Sequence, residues 1–189
     1  MSIDLPGFAD PVAEAQACFR AVLAATARPG RVHQVGGSLQ APSPLMPATA
    51  ALLLTLADTS TQVWLSADCV PAHGWLRFHC GTHITADPAA AQFAVATRWP
   101  DLALFQPGTD EAPEESATIV VQVAAIGSGR LLRLLGPGLR EEATLRVDGL
   151  PDDFVPIWAA NHALYPRGLD MVLVADTALV ALPRSVAVT

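Results

Sequence analysis

From Ala117 to Ala125 the chain reads Ala-Thr-Ile-Val-Val-Gln-Val-Ala-Ala. A near-continuous, β-branched apolar run of this kind predicts a strand in the interior of a sheet, covered on both faces. Ala48 to Ala57 is apolar nearly all round and predicts a buried helix. Both need a substantial core. A chain of 189 residues with 51% hydrophobic content can supply one, since at this length roughly 70% of the unfolded surface is buried on folding. The expectation is one domain spanning residues 1–189. Disorder is excluded, because disordered chains are charge-rich and apolar-poor. Only 15% of residues are charged, against about 25% in an ordinary domain, which points to apolar surface covered by another chain.

Around these two segments the remaining elements follow from local signals. Asp10 and Pro11 start a helix, with Glu14 in its first turn. Phe19, Val22, Leu23 and Thr26 fall on one face of it at helical spacing. Arg28-Pro29-Gly30 ends it. Arg31–Val35 alternates as a short strand, and Gly36–Pro47 is a turn-rich segment. Gln62–Leu65 and Phe93–Thr97 read as strands, and Pro71–Gly81 as a short helix carrying Trp75, Leu76 and Phe78. Gln106–Ser116 reads as a solvated acidic loop. Gly127-Ser128-Gly129 is read as a turn joining Ala117–Ala125 to Arg130–Leu135 in a hairpin, ended by Gly136-Pro137-Gly138. Pro151–His162 suggests a helix started by Asp152 and Asp153. Met171–Val174 and Leu179–Leu182 form a second hairpin. The resulting fold class is α/β, a mixed sheet flanked by helices.

Eleven basic residues stand against 18 acidic ones, for a net charge of −7, and every basic residue is arginine. Such a balance argues against nucleic acid and against anionic membrane surfaces as partners. With no lysine anywhere, neither a Schiff base to pyridoxal phosphate nor a P-loop lysine is available. The three cysteines Cys18, Cys69 and Cys80 do not form a disulfide framework. Met1–Asp10 lacks the features of a signal peptide, and no apolar run approaches the ~20 residues a bilayer requires. A soluble, cytoplasmic protein is expected.

The densest polar cluster is Cys69, His73, His79, Cys80 and His83. These residue types suit zinc, but the spacing matches no finger or ribbon. His79-Cys80-Gly81-Thr82-His83 lacks a glutamate that could act as base. Local hydrogen bonding at a helix end is the plainer reading, and no metal site is assigned. Gly136-Pro137-Gly138 could offer backbone N–H groups to an anion, although proline removes one donor. Arg28, Arg31, Arg130 and Arg133 could meet an anionic ligand through bidentate guanidinium bonds, or pair with carboxylates. Asp170 and Arg184 bracket the last hairpin and suit a structural pair. No local signature supports Ser/His/Asp or Cys/His catalysis.

Taken in order along roughly Phe8 to Val188, several segments carry a resemblance. They are Gln16-Ala17-Cys18-Phe19-Arg20, Arg28-Pro29-Gly30, Leu53–Asp58, Val63-Trp64-Leu65, Leu76-Arg77-Phe78-His79 and Gln92–Val95. Ala117-Thr118-Ile119, Leu131–Gly138, Tyr165–Asp170 and Ala181-Leu182-Pro183-Arg184 follow. Together they resemble the PhnH family, subunits of the bacterial carbon–phosphorus lyase core complex. The chain departs from many relatives at Tyr165 and Arg167.

The resemblance implies an accessory role in phosphonate catabolism. It implies work with PhnG, PhnI and PhnL in transferring a phosphonate to the ribose C1′ of MgATP, with release of adenine. PhnJ then cleaves the carbon–phosphorus bond. The implied fold is similar to the large domain of pyridoxal-phosphate-dependent transferases without the cofactor, and MgATP is implied as substrate of the complex, not as a cofactor of this chain. The family provides no catalytic residue to carry over, so Arg28, Gly30, His79, Gly136, Gly138, Asp170 and Arg184 are candidates for a pocket or interface. A homodimer is expected when partners are absent. Two other readings stand beside this one: a metal-dependent hydrolase using His73, His79 and His83, and a phosphonate- or nucleotide-binding module acting through its arginines.

Overall fold

The computed structural model describes residues 4–189. The stretch Met1–Asp10, read as lacking a leader, has its first three residues outside them. Helix α1, Pro11–Ala27, begins where Asp10 Oδ1 accepts from the Ala13 N–H at 3.0 Å, with Pro11 in its first turn. It ends where the Arg28 N–H bonds the Ala24 carbonyl, before Pro29. The short strand β1 is His33–Gln34, and α2 is Pro47–Leu56. Strand β2, Gln62–Leu65, leads through a 3₁₀ segment into α3, His73–Cys80. Strand β3 is His83–Thr85, β4 is Phe93–Ala96 and β5 is Thr118–Gln122. They are followed by β6 (Ala125–Leu135), β7 (Ala143–Asp148), α4 (Phe154–His162), β8 (Asp170–Ala175), β9 (Ala178–Leu182) and β10 (Ala187–Val188).

Seven strands form one sheet in the order β1-β9-β8-β5-β4-β2-β3. Strands β3, β2, β4, β5 and β8 run parallel, while β9 is antiparallel to β8 and β1 antiparallel to β9. The interior strand expected at Ala117–Ala125 is β5, with Ile119 opposite Ala94 on one side and Met171 on the other. Its alternate residues face two different cores. Val120 joins Val63, Val95, Val172 and Val174 beneath α1, α2 and α3. Ile119 and Val121 join Met171 and Leu173 beneath α4 and a second, three-stranded sheet, β10-β6-β7. Helix α2 is buried along most of its length, as an all-round apolar helix requires.

Two expectations are corrected. Gly127-Ser128-Gly129 is not a turn: β6 runs straight through it, taking up a register shift between Ile126 and Arg130 where it pairs with β7. The first hairpin is therefore β6–β7, with Gly136-Pro137-Gly138 in its connection, and β5 belongs to the other sheet. Burial on both faces draws β5 between β4 and β8, and the chain leaves that sheet at Val123-Ala124 before β6 starts. The packing face of α1 is also different. Cys18 and Ala25 are buried, whereas Phe19 and Leu23 are 51% and 59% exposed. The expected hairpin of β8 and β9 is present, turning at Asp176. Among the described residues no helix is long and apolar enough to cross a membrane.

Candidate functional site

Three of the candidate residues meet in one place. The β6–β7 connection folds onto the end of α1, and two glycines permit the close approach. Gly138 has φ +85°, and a Cβ there would collide with the Ala27 carbonyl and stand 3.1 Å from Pro29 Cδ. Gly30 has φ +83°, and a Cβ there would come within 2.8 Å of Leu134 Cδ1. A side chain at 138 would meet backbone and force these segments apart, while one at 30 would be strained by its positive φ and would have to displace the end of the Leu134 side chain. Between them lies a cleft of about 640 Å³, with Arg28, Pro29, Gly30 and Arg31 on one side and Gly138, Leu139, Arg140, Ala143 and Thr144 on the other. The volume is within the range of about 300–1,000 Å³ usual for small-molecule sites. Arg140 was not among the candidates. Its only sequence signal is its position two residues after Gly138, and nothing local relates it to Arg28 or Arg31, more than a hundred residues earlier.

The other candidates hold the fold elsewhere. Arg184 and Asp170 form an ion pair at 2.5 Å. Asp170 Oδ1 also accepts from the Arg184 backbone N–H at 2.8 Å. The Arg184 guanidinium further donates to the Pro113 carbonyl and to Ser116 Oγ. This locks the acidic loop onto the β8–β9 hairpin. His79 Nε2 and Trp75 Nε1 meet the Leu5 carbonyl at 3.1 and 2.9 Å, holding the N-terminal segment against α3. A carbonyl only accepts, so His79 carries its proton on Nε2. Gly136 lies against Ser185 and Val186.

The cysteine–histidine cluster disperses. Cys69 is fully buried, Cys80 Sγ donates to the Leu53 carbonyl at 3.6 Å, and His83 lies exposed at the start of β3. Among the described residues no group of three His, Cys, Asp or Glu side chains could hold a metal ion, so the geometry does not carry a hydrolase built on His73, His79 and His83. Burial pushes the Cys80 thiol up to about 11, and the Cys18 and Cys69 thiols upward too. All three are therefore weak nucleophiles. Arg130 donates to the Pro151 and Asp152 carbonyls, and Arg133 pairs with Glu142 at 3.3 Å.

A second cavity, of about 650 Å³, lies between residues 99–107 and α4. Trp99, Leu102, Phe105, Ile157 and Leu164 give it apolar walls, with Asp101, Asp153 and Asn161 as its polar groups. The Asn161 amide is occupied by both backbone groups of Leu169, and Asp101 accepts from the Ala103 N–H. No sequence motif pointed to this cavity, because its walls come from three separate segments.

Comparison with known proteins covers nearly the whole chain. A family model described as bacterial phosphonate metabolism protein (PhnH) matches residues 6–189. The chain is 40% identical over 183 residues to the alpha-D-ribose 1-methylphosphonate 5-triphosphate synthase subunit PhnH of Rhizobium meliloti (strain 1021), covering 94% of this chain and 92% of that protein. It is 33% identical over 175 residues to the putative C-P lyase subunit protein HtxG of Stutzerimonas stutzeri, covering 90% and 83% respectively.

Proposed function

The chain belongs to the PhnH family of bacterial phosphonate metabolism proteins, and from that premise we propose that it is an accessory subunit of a ribose 1-methylphosphonate 5-triphosphate synthase within a carbon–phosphorus lyase complex. The observation that carries this reading is the 40% identity to a subunit of that name over nearly the full length of both chains. The proposed chemistry of the complex is transfer of a phosphonate to the ribose C1′ of MgATP with loss of adenine, in company with PhnG, PhnI and PhnL. PhnJ acts afterwards.

The accessory character is supported by the candidate residues themselves. His79, Asp170 and Arg184 are engaged in holding segments of this chain together. We include in the proposal the likeness to the large domain of pyridoxal-phosphate-dependent transferases, supported by the seven-stranded, mainly parallel sheet with three helices on one face. No aldimine is proposed, since the chain has no lysine. Cytoplasmic location belongs to the same proposal.

Partner burial is supported by α1, where Val12, Phe19 and Leu23 lie 80%, 51% and 59% exposed at spacings that put them on one helical face. Co-expression with PhnG, PhnI and PhnJ from the same source, followed by sizing with light scattering, tests the reading. Co-elution at fixed stoichiometry is expected, and elution of this chain by itself would overturn it. In isolation the chain is proposed to form a homodimer, and a monomer mass at every concentration would refute that.

A further inference from the structure

The cleft between α1 and the β6–β7 connection gathers three cations that no carboxylate among the described residues pairs with. Arg98, Arg130, Arg133, Arg167 and Arg184 each pair with a carboxylate. Among the described residues Arg20, Arg28, Arg31, Arg77 and Arg140 have neither an ion pair nor a side-chain hydrogen bond, and three of these five, Arg28, Arg31 and Arg140, line the one cleft. No aspartate or glutamate lines it. In a chain with 18 acidic residues and a net charge of −7, three unpaired arginines around one concave space run against the composition.

The end of a helix carries partial negative charge, and an arginine beside it offsets that. This accounts for Arg28 at the cap. It does not account for Arg31 beyond the turn, nor for Arg140, which the chain delivers from another sheet. Guanidinium groups from separate segments around a polar cleft suit an anion with several phosphoryl groups, each taking paired N–H bonds. The overall negative charge repels extended polyanions such as nucleic acid or an anionic bilayer. A small, multiply charged anion can instead enter a local positive cleft.

We propose that Arg28, Arg31 and Arg140 form a binding site for a triphosphate chain. The site itself rests on the cleft and its unpaired arginines. Its assignment to the 5-triphosphate end of the ribose substrate or product rests on the synthase reading above.

Calorimetric titration of the purified full-length chain with inorganic tripolyphosphate tests the site, with MgATP and methylphosphonate as separate arms. The expected result is saturable binding of one tripolyphosphate per chain, weakening as salt is raised. MgATP should compete, and methylphosphonate should bind at least about tenfold more weakly, having one anionic group instead of three. Combined Arg31→Gln and Arg140→Gln substitution should weaken binding by about a hundredfold, with the melting temperature confirming the fold. Arg98→Gln, at an exposed pair with Asp68, should leave it unchanged.

Absence of saturable binding to the unsubstituted chain, or equal binding by the double variant, would overturn the site. Tripolyphosphate binding without competition by MgATP would overturn its assignment to the nucleotide. The assembly experiment separates the two readings. Binding without assembly supports the site while the subunit reading fails, and assembly without binding removes the site alone. If the double variant loses assembly and the parent binds no tripolyphosphate, the arginines face an acidic protein surface and the triphosphate site is refuted.

Discussion

Gln122 Oε1 accepts the Met46 backbone N–H at 2.6 Å, while Gln122 Nε2 donates to the Pro44 carbonyl at 2.9 Å. The one amide in the interior strand thus ties the proline-rich turn before α2 to the end of β5. Gln122 is buried, so both backbone groups depend on it. Gln122→Leu keeps the size and removes both bonds. We expect a loss of about 2 kcal/mol, since the stranded N–H and carbonyl groups forfeit their partners. Urea denaturation measures it, and unchanged stability would show that the turn repacks or admits water.

Arg184 joins three segments, through Asp170, Pro113 and Ser116. Its side chain is 13% exposed and that of Asp170 33%, so the pair is shielded on one side only. Arg184→Lys keeps the charge but cannot reach all three partners. The expected cost is roughly 2 kcal/mol, together with faster proteolytic cleavage within residues 107–116. A variant with parental cleavage rates would refute the loop-locking role.

His79 holds the Leu5 carbonyl jointly with Trp75. His79→Ala should cost about 1 kcal/mol and speed amide exchange in residues 4–9. Tripolyphosphate affinity should stay at the parental value, because His79 is not among the residues lining the arginine cleft. A fall in that affinity with the fold intact would contradict this separation of roles.

Cys80 gives the chain an alkaline sensitivity. Burial raises its thiol from 9.0 to about 11. Below pH 9 both folded and unfolded chains keep the proton and the thiol has no effect on stability. Above it the unfolded chain ionises first and holds fewer protons, so stability falls as pH rises from 9 towards 11. Denaturation midpoints from about pH 8 to about pH 10 should fall more steeply for the parent than for Cys80→Ala. Equal slopes would show that the thiol is not what titrates.

Much of the architecture was legible because its causes are local. Asp10 with Pro11 marks the start of α1, the β-branched run marks β5 as interior, and the Met171–Leu182 segment carries its own turn. The lysine-free composition removed whole classes of chemistry without any coordinates. The candidate site was only half legible. Arg28, Gly30 and Gly138 were singled out, but so were His79, Asp170 and Arg184, which hold structure.

By itself, then, the sequence determined most of the elements, though not β3, β7 or β10, together with the two-sided burial of β5 and the family to which the chain belongs. Tertiary structure decided the rest. Glycines at 127 and 129 permit either a turn or a strand irregularity, and pairing with β7 selects the second. Helical spacing groups Phe19 with Val22, but packing against α2 and β9 turns Cys18 and Ala25 inward instead. Arg140 stands beside Arg28 and Arg31 only because Gly138 lets the β6–β7 connection touch the end of α1. Local preferences act over a few residues, whereas these outcomes depend on which surfaces meet across the core. That choice is made by burial summed over the whole chain.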